Sequence, residues 1–280
     1  YEVKTYLDWS SDEGFPGAAE MCSGQGVCRK LGEGIMCPSY MATRDERDTT
    51  RARANALRAV LSGRAGKEFL MGSEMRETFD LCISCKACKS ECPSAVDAAK
   101  MKSEFLAHYH DAHGLPIRDR IFGNIHGLSK AAAVFPALSN AFMESGVGKI
   151  ILERIGVSGE RSLPAFSGES FTEWFRKRPR KARVTHTGKV LYFHDTWVSY
   201  YQPEIGKAAV RLLEAAGFEV ILAERRACCG RPMISKGMLK EAKRSARTNA
   251  EILSRYVRDG IPVVGTEPSC ILTFRDEYPD

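Results

Sequence analysis

Leu81-Cys82-Ile83-Ser84-Cys85-Lys86-Ala87-Cys88-Lys89-Ser90-Glu91-Cys92-Pro93 is the stretch on which the fold of the first half of this chain turns. Three thiolates at intervals of three residues can wrap one cubane, and the fourth, after a longer step, reaches the other cluster of a two-cluster arrangement. Pro93 helps to turn the chain there. Soft thiolates select iron–sulfur clusters, zinc or copper(I), but zinc sites space their cysteines as a pair, a long gap and another pair. The spacing of Cys82, Cys85, Cys88 and Cys92 therefore predicts iron–sulfur ligation.

Such an arrangement needs a second motif, and Cys22, Cys28 and Cys37-Pro38 supply most of one. Gln25 stands where another cysteine belongs. One cluster is expected to use Cys82, Cys85, Cys88 and Cys37; the other has Cys22, Cys28 and Cys92, one thiolate short. Seven ligands for two clusters leave three options open: a 3Fe–4S centre, a 4Fe–4S centre with a non-cysteine fourth ligand, or one cluster only. The expectation carried forward is two iron–sulfur clusters of the 4Fe–4S type, with 3Fe–4S as the alternative for the cysteine-poor one.

Composition agrees with a folded metalloprotein. The 280 residues are 44% hydrophobic and 27% charged, which excludes wholesale disorder and fibrous repeats. No apolar run approaches the roughly 18–20 residues of a bilayer span, and no basic-then-apolar leader opens the sequence. Seven of the ten cysteines lie between Cys22 and Cys92, and the other three are Cys228, Cys229 and Cys270. Clustering at short fixed spacings points to metal rather than to a disulfide framework. The net charge of +6 is too mild to argue for nucleic acid.

The pattern divides the chain into residues 1–162, an α-helical dicluster ferredoxin-type domain, a basic linker over 163–188, and an α/β cysteine-rich domain over 189–280. Helices are predicted over Thr43–Ser62 with Gly63 as the stop, over about 68–81, 95–113 and 128–145. Arg176-Lys177-Arg178 and Arg180-Lys181 read as solvated linker charge. After the linker, Val190-Leu191-Tyr192-Phe193, Phe218–Leu222 and Ile261–Val264 read as strands. They alternate with helices opened by Pro203 and running from Met238 to Val257, a βαβ pattern that implies a parallel sheet. No glycine-rich phosphate loop follows the first strand.

Cys228-Cys229-Gly230 lies just past the second strand and Cys270 just past the third, at the carboxyl ends where open α/β sheets place their ligand crevice. Thr266-Glu267-Pro268-Ser269-Cys270 reads as a helix opening, whose positive end favours a thiolate. The expectation is a shared metal or non-cubane cluster at Cys228, Cys229 and Cys270; three buried cysteines acting as small apolar residues are the bland alternative.

These motifs resemble a known family. Met21-Cys22 to Cys28-Arg29, Met36-Cys37-Pro38-Ser39-Tyr40 and Thr49-Thr50-Arg51-Ala52-Arg53-Ala54, with Leu81 to Pro93, are similar to the dicluster ferredoxin segment of FAD-linked 2-hydroxyacid dehydrogenases. Cys228-Cys229-Gly230-Arg231-Pro232 and Glu267-Pro268-Ser269-Cys270 resemble the cysteine-rich CCG domain. Glycolate oxidase iron–sulfur subunits, anaerobic glycerol-3-phosphate dehydrogenase subunits and heterodisulfide reductase share that domain. CCG modules that hold a cluster usually carry an earlier cysteine, where this chain reads Phe193-His194-Asp195-Thr196. Asp195 is either a carboxylate ligand or a strand-end turn residue. The family also tends to carry a second CCG half, so residues 189–280 read as the first half of a longer module.

The resemblance implies electron transfer from FAD in a preceding flavin domain, on the same chain or a partner subunit. The acceptor would be a quinone, a cytochrome or an electron-transfer protein, during oxidation of a 2-hydroxyacid such as D-lactate or D-2-hydroxyglutarate. No catalytic residue is evident within the chain, which is not expected to turn over substrate alone. A cytoplasmic location, with peripheral membrane contact and no membrane span, is the expectation. The competing reading is a disulfide or quinone reductase subunit reacting at Cys228, Cys229 and Cys270; nucleic-acid binding through the basic stretch is a third, less supported one. His108, His110, His113, His126, His186 and His194 are not read as metal ligands, since His110 and His113 fit a helix C-terminus. Arg51, Arg53 and Arg58 read equally as solvated helix arginines or as residues that pair acidic groups near a cluster or contact a partner.

Overall fold

The computed structural model describes residues 3–179, 187–223 and 225–280. They form two compact units, one holding the chain up to Pro116 with Met233–Lys240 and Asp280, the other Ile117–Pro232 with Glu241–Pro279.

The first unit is helical. Its elements are α1 (Gly14–Glu20), α2 (Pro38–Thr43), α3 (Thr50–Leu61), α4 (Ser73–Asp80), α5 (Ala87–Glu91) and α6 (Ala98–His113). The single helix expected over 43–62 is split, because Arg44 is left-handed at φ 61° and ends α2. Thr49 then opens α3, its hydroxyl accepting from the Ala52 N–H, and the helix stops at Ser62 before Gly63, as expected. Ala54, Leu57, Val60 and Leu61 repeat along one face of α3 and bury it against Phe15, Ala18 and Ala19 of α1 and Met101 and Phe105 of α6. Asp97 caps α6 through Lys100 N–H, and Gly114 closes it onto the His110 carbonyl, so His110 and His113 lie in its last turn. His113 Nε2 is 2.8 Å from the Met71 carbonyl oxygen.

The second unit begins with α7 (Ile117–Gly123), α8 (Ile125–Ala132), α9 (Pro136–Glu144), α10 (Gly146–Arg154) and α11 (Phe171–Lys177). The helix expected over 128–145 breaks at Phe135-Pro136, where the proline ring disfavours continuation and instead opens α9. Part of the stretch read as linker is structured: Phe171 is fully buried, and Arg178 pairs with Glu214 at 2.8 Å. Arg180-Lys181 lie outside the described residues.

Three parallel strands follow, β1 (Gly188–Tyr192), β2 (Phe218–Leu222) and β3 (Val263–Val264), in the order β2-β1-β3. Between them run α12 (Thr196–Tyr200), α13 (Pro203–Ala215), α14 (Arg231–Ser235) and α15 (Leu239–Arg258), and α16 (Pro268–Asp276) comes last. This is the βαβ order the alternation predicted. Both faces of the central β1 are covered, and its side chains alternate between two cores. Val190 and Tyr192 face Phe171, Val198, Val210 and Val220. Leu191 and Phe193 face Ala223, Cys228, Cys229 and Leu253. No helix among the described residues is long and apolar enough to cross a membrane.

Candidate functional site

The loop after α4 and the start of α5 curl Cys82, Cys85 and Cys88 around one open cavity, and the N-terminus of α2 brings Cys37 to the same wall. Ser84 at φ 54° and Lys86 at φ 62° are left-handed, which gives the short loop its coil between the thiols. Cys85 is exposed while Cys88 is buried. Burial, with the nearby Asp97 charge, pushes the Cys88 thiol up to about 12.

Arg53 is the main surprise in this wall, a fully buried guanidinium rather than a solvated one. Its Nη1 donates to Cys37 Sγ at 3.4 Å, Nη2 to Ser39 Oγ at 3.0 Å, and Nε to the Thr78 carbonyl at 2.9 Å. Burial alone would raise the Cys37 thiol; Ser39 and Arg53 outweigh it and hold Cys37 below its ordinary value. A sign of this was present in the sequence. Thr50, Arg53, Ala54, Leu57, Val60 and Leu61 share one helical stripe, which places Arg53 on the buried face of α3.

A second open cavity is lined by Cys22, Cys28 and Cys92 with Gln25 and Arg51. Met36 and Thr50 belong to the walls of both cavities, and both are almost fully buried. Glu91 fixes this partition from α5, accepting from the N–H groups of Ile35 at 2.9 Å and Met36 at 3.2 Å. Arg51 bridges the Gly24 carbonyl and Glu46, so its charge faces the Cys22–Cys28 loop. Burial raises the Cys28 thiol, and Arg51 and Thr49 only partly offset it. Four thiols around one cavity, and three thiols with a carboxamide around its neighbour, fit polynuclear clusters whose ligands lie on separate irons. Among the described residues no three Cys, His, Asp or Glu side chains are gathered closely enough for a single metal ion.

The remaining cysteines meet at the carboxyl ends of the strands, as predicted. Cys229 Sγ is 3.1 Å from Cys270 Sγ. Cys228 and Cys229 are buried and Cys270 half-buried. Gly230 sits at φ +91°, a conformation that lets the chain turn directly after the pair. Asn249, to which the sequence assigned no role, clamps this loop: it donates to the Cys228 carbonyl at 2.9 Å and accepts from Ala227 N–H at 2.9 Å. Tyr278 donates to the Cys229 carbonyl at 3.1 Å. Asp195 is the N-cap of α12, its Oδ1 accepting from Trp197 N–H at 2.7 Å and Val198 N–H at 3.1 Å. That is the strand-end turn role weighed from the sequence. Among the described residues these three thiols do not gather with a further Cys, His, Asp or Glu closely enough for a single metal ion.

Comparison with known proteins agrees with this layout. Residues 21–97 match the 4Fe-4S dicluster domain family and residues 190–275 the cysteine-rich domain family. The chain is 26% identical over 307 residues to D-2-hydroxyglutarate dehydrogenase of Haemophilus influenzae, covering 94% of this chain and 30% of that protein. It is 32% identical over 146 residues to a subunit of the anaerobic glycerol-3-phosphate dehydrogenase of Escherichia coli K12, a match that takes in 52% of this chain and 37% of that relative. The glycolate oxidase iron-sulfur subunit of the same organism is 24% identical over 243 residues, 86% of this chain and 55% of that relative. The chain thus spans about 30% of the length of the D-2-hydroxyglutarate dehydrogenases it matches. No solved structure matches it.

Proposed function

The chain joins a 4Fe-4S dicluster domain to a cysteine-rich domain, and from that premise we propose that it conducts electrons from a flavin to an acceptor during oxidation of a 2-hydroxyacid. The flavin belongs to a neighbouring domain or a partner subunit, and D-2-hydroxyglutarate is the favoured substrate because proteins of that name match 94% of this chain. The observation that carries the reading is the partition of seven cysteines over two cavities that share the Met36–Thr50 wall.

In this reading Cys37, Cys82, Cys85 and Cys88 hold one cluster. Cys22, Cys28 and Cys92 hold the other, with Gln25 at the open corner. When bound, the clusters take up and release single electrons. The polypeptide sets where and at what potential. Arg53 aims an N–H at Cys37 Sγ and places a fixed positive charge beside that thiolate, which favours the more negative, reduced state. Lys102 donates to the Cys82 carbonyl at 2.6 Å and adds a second cation on the same side. Met36 and Thr50, both almost fully buried, form the wall the two cavities share.

Peripheral membrane contact and an apolar acceptor such as a quinone are supported by α9 and α10. Together with the residues just before them, these helices leave Val134, Phe135, Leu138, Val147 and Ile150 more than half exposed.

Anaerobic purification followed by iron and sulfide analysis, with low-temperature EPR of oxidised and dithionite-reduced protein, tests the reading. About eight irons per chain with coupled reduced signals is the expected result. About seven irons with an oxidised 3Fe–4S signal would place the missing ligand at Gln25. Zinc without iron would overturn the proposal.

A further inference from the structure

The thiol site at the strand ends has a composition that electron conduction through two clusters does not use. Cys229 and Cys270 approach to 3.1 Å between sulfurs, yet they come from separate elements, the β2–α14 loop and the first turn of α16. One is buried and one half-buried. Asn249 and Tyr278 hold the backbone carbonyls of Cys228 and Cys229, so the loop carrying the inner thiol is fixed.

Beside these thiols the crevice holds a cation. Arg226 stacks over the Phe193 ring at 4.9 Å. It donates through Nη2 to His194 Nδ1 at 3.1 Å and Ser199 Oγ at 3.2 Å, and through Nη1 to the Ala227 carbonyl at 3.2 Å. Its Nε is buried with no hydrogen-bond partner, and Asp195 is the carboxylate whose charge acts on it. Cys228 and Cys270 lie near enough for their charges to act on it. A guanidinium there adds positive charge to the crevice, and Asp195 is already engaged in capping α12.

We propose that Cys229 and Cys270 are a redox-active dithiol that closes reversibly to a disulfide, with Cys270 as the entry thiol and an aliphatic disulfide as its exchange partner. The Cys270 thiolate attacks one sulfur of the external disulfide, forming a mixed disulfide and releasing one thiol. Cys229 then attacks the Cys270 sulfur, an S–S bond forms within the chain, and the second external thiol leaves. The two protons of the protein thiols end on the two released thiols. The external disulfide is reduced by the two electrons that the protein dithiol gives up. The inference is independent of the electron-conduction reading, because it concerns no cluster ligand.

The test equilibrates the full chain, isolated anaerobically, in glutathione redox buffers. Free thiols are trapped with N-ethylmaleimide and peptides are read by mass spectrometry. A linked Cys229–Cys270 peptide should grow with a single midpoint as the buffer becomes oxidising. Its yield should fall to background in C229S and C270S and persist in C228S, with iron content unchanged in all three. Separate alkylation of Cys229 and Cys270 in every buffer would overturn the proposal, as would a Cys228–Cys229 link in the wild-type chain. A stoichiometric metal that C270S loses would do the same. Iron content reports on the dicluster reading separately, so the two can fail independently.

Discussion

Arg53 shows how one residue can connect packing to redox behaviour. Its guanidinium is fully buried, yet each of its donor groups has a partner: a thiol, a hydroxyl and a backbone carbonyl. Arg53→Met removes the positive charge and the N–H aimed at Cys37 Sγ, so the potential of the cluster proposed there should fall, while Arg53→Lys should retain part of it. Redox titration followed by EPR reads the difference. The same change leaves Ser39 and the Thr78 carbonyl short of a donor, at a cost on the order of 2–4 kcal/mol. Gly230 offers a cleaner backbone test. A Cβ there would meet only ordinary contacts near 3.7 Å, so Gly230→Ala should cost about 1–2 kcal/mol through its left-handed conformation alone. Thermal melting of the variant beside wild type measures it.

At the scale of elements, helix ends and strand ends place most of the chemistry. Cys37 precedes α2, Cys88 lies in α5, Cys229 follows β2 and Cys270 enters α16. Helix α8 carries a different consequence. His126 packs against α12, with Nδ1 3.0 Å from Thr196 Oγ1, and burial, aided by the Arg226 and Lys130 charges, lowers it from 6.5 to about 4. Between those values the unfolded chain binds a proton that the folded chain refuses. Stability is therefore full above about pH 6.5 and declines as pH falls toward 4, by up to about 1.4 kcal/mol per pH unit for this group. Denaturant unfolding across that window should show a shallower pH dependence for His126→Gln; an unchanged slope would mean the imidazole is not buried neutral.

For the whole molecule, the division into two units separates the proposed cluster cavities from the thiol pair. Metal bound only in the folded state stabilises the unit that holds it. Calorimetry of iron-loaded protein should show the first unit's transition shifted upward relative to iron-free protein, with the second unit's transition nearly unmoved. A single transition moving as one would instead mean that the units unfold together. Glu104 acts on the stability of the same first unit. Burial works against its charge, but bonds from His108, the Tyr6 and Leu7 N–H groups and Trp9 win and lower it below the ordinary carboxylate range. Its contribution is present above about pH 4.5 and is lost as pH falls through the lowered value, so the first unit should lose stability in acid even without iron.

Spacing alone determined much of this protein. The intervals among Cys82, Cys85, Cys88 and Cys92, and the alternation of strand and helix after residue 188, are local patterns that short-range geometry must honour. Glycine and proline punctuation likewise marked the ends of α3, α6 and α13. What only the tertiary structure decided are facts about neighbours distant in sequence. It buried Arg53 against Cys37 and placed Met36 and Thr50 between two cavities. It also set Asn249 under the cysteine loop and put Arg226 against His194. The stripe that puts Arg53 on the buried face of α3 has the same local signature whether the guanidinium there meets a sulfur or a carboxylate. Its environment is fixed by the packing of other elements around it, which no periodicity within one segment records.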